Sequence, residues 1–112
     1  MIEILEFLII FLKYLDIDSI IFNNKIYIRL PNLKSLYCVK CAKLYLSDIF
    51  CPKLVKLRYA DYGNYKIPDI NALKSDNFKE LKELNLRSNN ISDINVLEKV
   101  KFKKLEGLRF TL

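Results

Sequence analysis

The 112-residue chain predicts an α/β solenoid, a stack of strand-and-return units, on three observations. Similar segments begin at Leu33 (LKSLYCVKC), Leu54 (LVKLRYADY), Leu81 (LKELNLRSN) and Leu105 (LEGLRFTL), with a fainter copy at Leu12 (LKYLDIDSI). Their first leucines lie 21, 21, 27 and 24 residues apart. Within a copy the residues alternate, as in Leu84-Asn85-Leu86, so both leucines of a strand point to one side. Finally, Ile67/Ile91, Ile70/Ile94, Leu73/Leu97 and Phe78/Phe102 are each 24 residues apart, so the segments between strands repeat as well. A lone strand of this kind cannot bury its apolar side. Parallel stacking of several copies can, which predicts a curved parallel sheet lining a concave side.

Taken in order, residues 1–11 read as an N-terminal capping segment or partial repeat. The apolar run Phe7–Leu12 is far shorter than the ~20 residues of a membrane-spanning helix. Glu3 and Glu6 occupy the place where a secretory signal carries positive charge. Strands are expected near Tyr14–Ile17, Ser35–Cys38, Lys56–Tyr59, Glu83–Leu86 and Gly107–Phe110. The 21-residue copies leave too little chain for a helix, so their convex returns should be extended or 3₁₀. In the longer copies Asp69 and Asp93 are positioned as N-caps of one- or two-turn helices. The whole chain, 1–112, forms one domain, with repeats starting near 12, 33, 54 and 81 and a truncated one at 105.

The run Leu81, Leu84, Leu86, Asn89, Ile91 follows the form L-x-x-L-x-L-x-x-N/C-x-L, and the spacings fall within a 20–29-residue period. The chain therefore resembles the leucine-rich repeat family. The NNISDINVL return of the Leu81 copy is similar to internalin-like and protein phosphatase 1 regulatory-subunit-like repeats. The resemblance implies a binding scaffold. It also implies a structural ladder in which Asn89 and Cys41 bond the backbone turning out of the strand; Tyr62 and Ile20 depart from that pattern.

In this register one row of outward residues is Tyr14, Ser35, Lys56, Glu83 and Gly107. The next is Asp16, Tyr37, Arg58, Asn85 and Arg109, and the last is Asp18, Val39, Ala60, Arg87 and Thr111. Four cations (Lys56, Arg58, Arg87, Arg109) against three carboxylates (Asp16, Asp18, Glu83) leave this face at +1, so most of the chain's +6 lies elsewhere. Much of it is in Lys99–Lys104, which reads as a solvated return with Val100 and Phe102 buried. The Leu54 copy carries three extra residues between Tyr59 and Ile67. Insertions that spare the core become loops, and loops collect binding residues, so Tyr62 and Tyr65 beside Gly63 are candidates; Tyr62 equally suits the vacant ladder position. The predicted partner-binding set is Tyr37, Lys56, Arg58, Tyr62, Tyr65, Glu83, Asn85, Arg87 and Arg109.

The absence of histidine removes His-based triads and every zinc site that needs an imidazole. Two glycines cannot build a phosphate-cradling loop. Cys38-Val39-Lys40-Cys41 has CxxC spacing, but Cys51 is the single further thiol, and the register turns Cys38 and Cys41 inward as structural residues. An odd cysteine count suits a reducing compartment, so a cytoplasmic location is expected. No enzyme, metal or cofactor is expected. The function expected is protein binding through the concave face and the 60–66 loop. Its rival is a structural segment of a larger or self-associating repeat protein, with end-to-end contact through the C-terminal edge. A basic nucleic-acid surface is disfavoured, because no base-stacking array accompanies the lysines. If Asn89 holds the ladder, Asn89→Leu costs about 1–3 kcal/mol of stability by leaving buried backbone groups unpaired; an unchanged urea midpoint argues against the register.

Overall fold

Where apolar and polar residues alternate, the chain is extended. The computed structural model describes residues 10–20, 22–41, 44–61, 70–87 and 102–110. Its strands are β1 (Tyr14–Asp16), β2 (Ile28–Arg29), β3 (Ser35–Cys41), β4 (Ile49–Phe50), β5 (Lys56–Asp61), β6 (Glu83–Leu86) and β7 (Gly107–Phe110). Five of them form a parallel sheet in the order β1-β3-β5-β6-β7; β2 and β4 form a separate parallel pair.

The register of the larger sheet places Leu15, Leu36, Leu57, Leu84 and Leu108 side by side. Leu36, Leu57 and Leu84 are buried in the main core with the anchor leucines Leu33, Leu54 and Leu81. Each such side chain contributes about 1.5–3 kcal/mol by leaving water. Leu108, in the edge strand β7, stays 38% exposed.

Two hydrogen-bond motifs recur with the leucines. Before three of the anchors the chain reverses through a three-residue step: Leu33 N–H donates to the carbonyl of Leu30, Leu54 to Cys51, and Leu81 to Phe78. Pro31 and Pro52 follow the first residue of two of these turns, where a fixed φ favours the bend. Just after each anchor, two consecutive N–H groups share one carbonyl of the preceding unit. Lys34 and Ser35 donate to Lys13, Val55 and Lys56 to Lys34, Lys82 and Glu83 to Val55, and Glu106 and Gly107 to Lys82, at 2.7–3.0 Å.

The expected α/β solenoid with short helical or extended returns is not what the chain forms. Apart from the helical residues Ile10 and Phe11, the described residues contain no α-helix. The returns run through 3₁₀ turns at Leu46–Asp48, Ile70–Lys74 and Asp76–Phe78, and through the β2–β4 pair. An α-helix advances about 1.5 Å per residue, against about 2.0 Å for a 3₁₀ turn and 3.3 Å for extended chain. Short returns that must recross the core need the longer rise. Five strands at ~4.8 Å spacing span about 19 Å, too short a stack to make an elongated superhelix. The result is a small compact globule with a radius of gyration of 13.8 Å, near the ~13 Å expected for a globular chain of this length. The face expected to be concave is therefore the solvent side of a small sheet. The N-caps expected at Asp69 and Asp93 lie outside the described residues.

Because Leu57 is central and buried while Leu108 is partly exposed, the two should respond differently to truncation. Leu57→Ala is expected to cost about 2–5 kcal/mol, and Leu108→Ala distinctly less, in urea unfolding. Equal losses would contradict this packing.

Candidate functional site

The outward side of the five-stranded sheet is polar and carries three connected clusters. Alternation places Tyr37 on it, in register with Asp16 of β1 and Arg58 of β5. The Tyr14 and Tyr37 rings meet edge to face, with centroids 5.3 Å apart and planes at 85°. On the other side the Arg58 guanidinium carbon lies 4.5 Å from the Tyr37 ring centroid, within reach of the attraction between a cation and a ring face. Arg58 Nη1 also stands 3.8 Å from Asp18 Oδ2.

Asp18 is itself anchored. Its Oδ1 accepts the Val39 N–H at 2.7 Å, and its own N–H donates to Asp16 Oδ1 at 3.0 Å. The strand-like pairing thus continues past β1, helped by Ile17 N–H to Tyr37 O and Ser19 N–H to Val39 O. Desolvation, then the charge of Asp16, pushes the Tyr14 hydroxyl pKa up, so that phenol stays protonated at neutral pH.

Further along the sheet, Lys56 Nζ and Glu83 Oε2 are 3.5 Å apart, both largely solvated. Such an exposed pair contributes little stability. Asn85 Oδ1 accepts the Arg87 N–H at 3.0 Å. Gly107 has no side chain, and an added Cβ would meet Glu83 Cγ no closer than 4.0 Å. The space beside it belongs to an open groove of about 330 Å³, lined by Tyr37, Lys56, Arg58, Glu83, Asn85, Glu106, Gly107 and Arg109 over Leu57 and Leu84.

The structure therefore brings six of the expected binding residues, Tyr37, Lys56, Arg58, Glu83, Asn85 and Arg109, around one groove. Arg87 is exposed just beyond β6 and does not line it. Tyr62, Tyr65 and Asn89 lie outside the described residues. Sequence reasoning passed over Glu106, which precedes β7 at the position of Lys34, Val55 and Lys82 in the other units. It also passed over the structural work of Asp18, for which an aspartate two residues after Asp16 is the only local signal.

The CxxC pair belongs to the opposite side. Lys40 adopts a left-handed conformation, φ 59°, and the β3–β5 register slips between Val39 and Cys41. One residue is bulged out, so Cys38 and Cys41 both point inward although they are three positions apart. Cys41 Sγ donates to the Ile17 carbonyl at 2.7 Å, and Cys38 Sγ to the Arg58 carbonyl at 3.3 Å. All three cysteines are free thiols and buried. Desolvation raises the pKa of each, that of Cys38 well above the ordinary thiol range. Buried neutral thiols are poor nucleophiles.

On the return side, Lys104 Nζ bonds Glu80 Oε2 at 2.6 Å and thereby lowers the Glu80 pKa. Elsewhere on that side Lys25 Nζ lies 5.3 and 5.6 Å from the Tyr27 and Tyr45 ring centroids. Among the described residues, no group of three or more His, Cys, Asp or Glu is placed to hold a metal ion. No helix among them is long and apolar enough to cross a membrane. Comparison with known proteins finds no matching family model, no similar curated protein and no similar solved structure.

The thiols give the fold a pH dependence with a definite sign. Thiols titrate near pH 8.5 in the unfolded chain and higher in the native one, so above that pH the unfolded state holds fewer protons and stability falls. Their contribution is complete below about pH 8.5 and declines as pH rises towards the native values. The urea midpoint is expected to drop between pH 8 and pH 10, and a thiol reagent should label the three cysteines far faster in urea than in buffer. Rapid native labelling at neutral pH would contradict buried thiols.

Proposed function

We propose that the chain is a non-catalytic protein-binding module whose contact surface is the outward face of the five-stranded sheet. The observation that carries this reading is the Tyr14–Tyr37–Arg58 cluster at the rim of an open groove. Tyrosine and arginine dominate binding energy at protein interfaces because they supply large contact area and directional donors at modest entropic cost. Here the ring packing, the guanidinium over Tyr37 and the Asp18 carboxylate hold Arg58 before any partner arrives. Preorganisation of this kind lowers the ordering cost of association.

The leucine-spaced repeat supports the same reading, as kinship with leucine-rich-repeat binding scaffolds. The chemistry of the groove supports it too: guanidinium, ammonium, amide and phenol groups bind and orient. The thiols are on the other side of the sheet, buried and protonated. We place the protein in a reducing, cytoplasmic setting on the strength of the three buried free thiols.

The test is quantitative affinity capture from source-cell lysate with wild type and a Tyr37→Ala/Arg58→Ala variant. Loss of a hot-spot pair of about 2 kcal/mol weakens binding about 30-fold, so a specific protein should be retained by wild type and depleted with the variant. Identical capture by both forms would overturn the reading.

A further inference from the structure

We propose that the groove between Arg58 and Arg109 receives a single carboxylate side chain from an acidic, extended segment of the partner. This rests on the reading of the outward face as a protein-binding surface and assigns the chemistry that the groove recognises.

Register places Arg58, Asn85 and Arg109 in one row on β5, β6 and β7. At ~4.8 Å per strand the two arginines stand about 10 Å apart at the backbone, with the shorter asparagine between them. The row is therefore a notch floored by the Asn85 amide, with Arg109 on one side and Arg58, its guanidinium resting on the Tyr37 ring, on the other. The amide's orientation follows from its one hydrogen bond: Oδ1 accepts the Arg87 N–H, so Nδ2 is the group left to donate. Arg109 is exposed and has no ion pair among the described residues. Arg58 spends one nitrogen on Asp18, at the long distance of 3.8 Å. The two guanidinium groups and Asn85 Nδ2 are donors, so a ligand that bonds them must supply acceptors.

Charge decides which acceptor. Among the residues lining the groove, Lys56, Arg58 and Arg109 face Glu83 and Glu106, a balance of one positive charge in the lining itself; Asp18, outside the lining, lies 3.8 Å from Arg58. Lys56 and Glu83 already compensate one another. A monoanion matches that excess. A polyphosphate backbone would bring further charges against Glu106 and Glu83. The groove volume of about 330 Å³ is at the lower end of the ~300–1,000 Å³ of small-ligand sites, room for one or two side chains and not for a docked helix. Arginine pairs suit carboxylates because the planar fork meets both oxygens at once.

The experiment is selection of a random peptide library on phage against the immobilised full chain in low salt, followed by synthesis of the best peptides. Selected peptides should be enriched in Asp and Glu. Their affinity should fall about tenfold for Arg109→Gln, and for Glu→Gln or Asp→Asn at one peptide position, as expected for loss of a charge-assisted hydrogen bond. The two losses should be non-additive when combined, and Arg109→Lys should restore only part of the affinity. Peptides that lose binding with Tyr37→Ala/Arg58→Ala but show no acidic enrichment would overturn the carboxylate assignment and leave the face as the binding surface. Acidic peptides indifferent to Arg109→Gln would overturn it as well. Heparin or single-stranded DNA displacing the peptide in an Arg109-dependent way, and binding more tightly, would replace the carboxylate with a polyanion. If every selected peptide ignores the Tyr37/Arg58 variant, the parent reading itself falls.

Discussion

The structure depends on one recurring constraint, the parallel alignment of a leucine row with a carbonyl that receives two N–H groups. Leu15, Leu36, Leu57, Leu84 and Leu108 align because each strand after β1 starts from the same forked hydrogen bond to the unit before it. A slip of one residue would turn every leucine to solvent. It would also break the fork. Two independent penalties thus guard one register, and everything on the outward face inherits its position from it. Arg58, Asn85 and Arg109 form a row because the leucines beside them do.

The same constraint explains why irregularities appear where they do. Cys38 and Cys41 are three positions apart, so an unbroken strand would bury one and expose the other. The left-handed conformation at Lys40 changes the phase, and Ser19, 21 residues earlier, adopts it too, at φ 62°. A non-glycine residue carries some strain in that conformation. Burial of the Cys41 thiol on the Ile17 carbonyl offsets that strain, and the chain leaves the strand in the same way in both units.

Charge is divided between the two sides of the sheet. The outward face combines cations with carboxylates in near balance, so it presents individually placed donors and not a broad positive field. Lys104 on the return side is held by Glu80. This division leaves exposed, positioned donors on one side of the sheet and the apolar contacts on which stability rests on the other.

The sequence by itself determined which residues share a row. The leucine spacing and the two-residue alternation identify strand positions, their parallel neighbours and the inward thiols, because both patterns are local and repeat. It led to the wrong body for those strands. A solenoid with helical returns follows from the 24-residue rhyme of Ile70/Ile94 and Leu73/Leu97, yet the return at Ile70–Lys74 is a 3₁₀ turn. How steeply a return must climb depends on the core it crosses, which no local pattern encodes. The candidate site divides in the same way. Tyr37, Lys56, Arg58, Glu83, Asn85 and Arg109 were legible as one face, while Tyr62, Tyr65 and Asn89 lie outside the described residues. Only the tertiary structure decided that Gly107 opens a groove, that Glu106 borders it, and that Asp18 and Tyr37 hold Arg58 in place. The contacts on Arg58 join residues 21 and 40 positions apart and the groove draws its lining from Tyr37 to Arg109, and spatial packing alone brings them together.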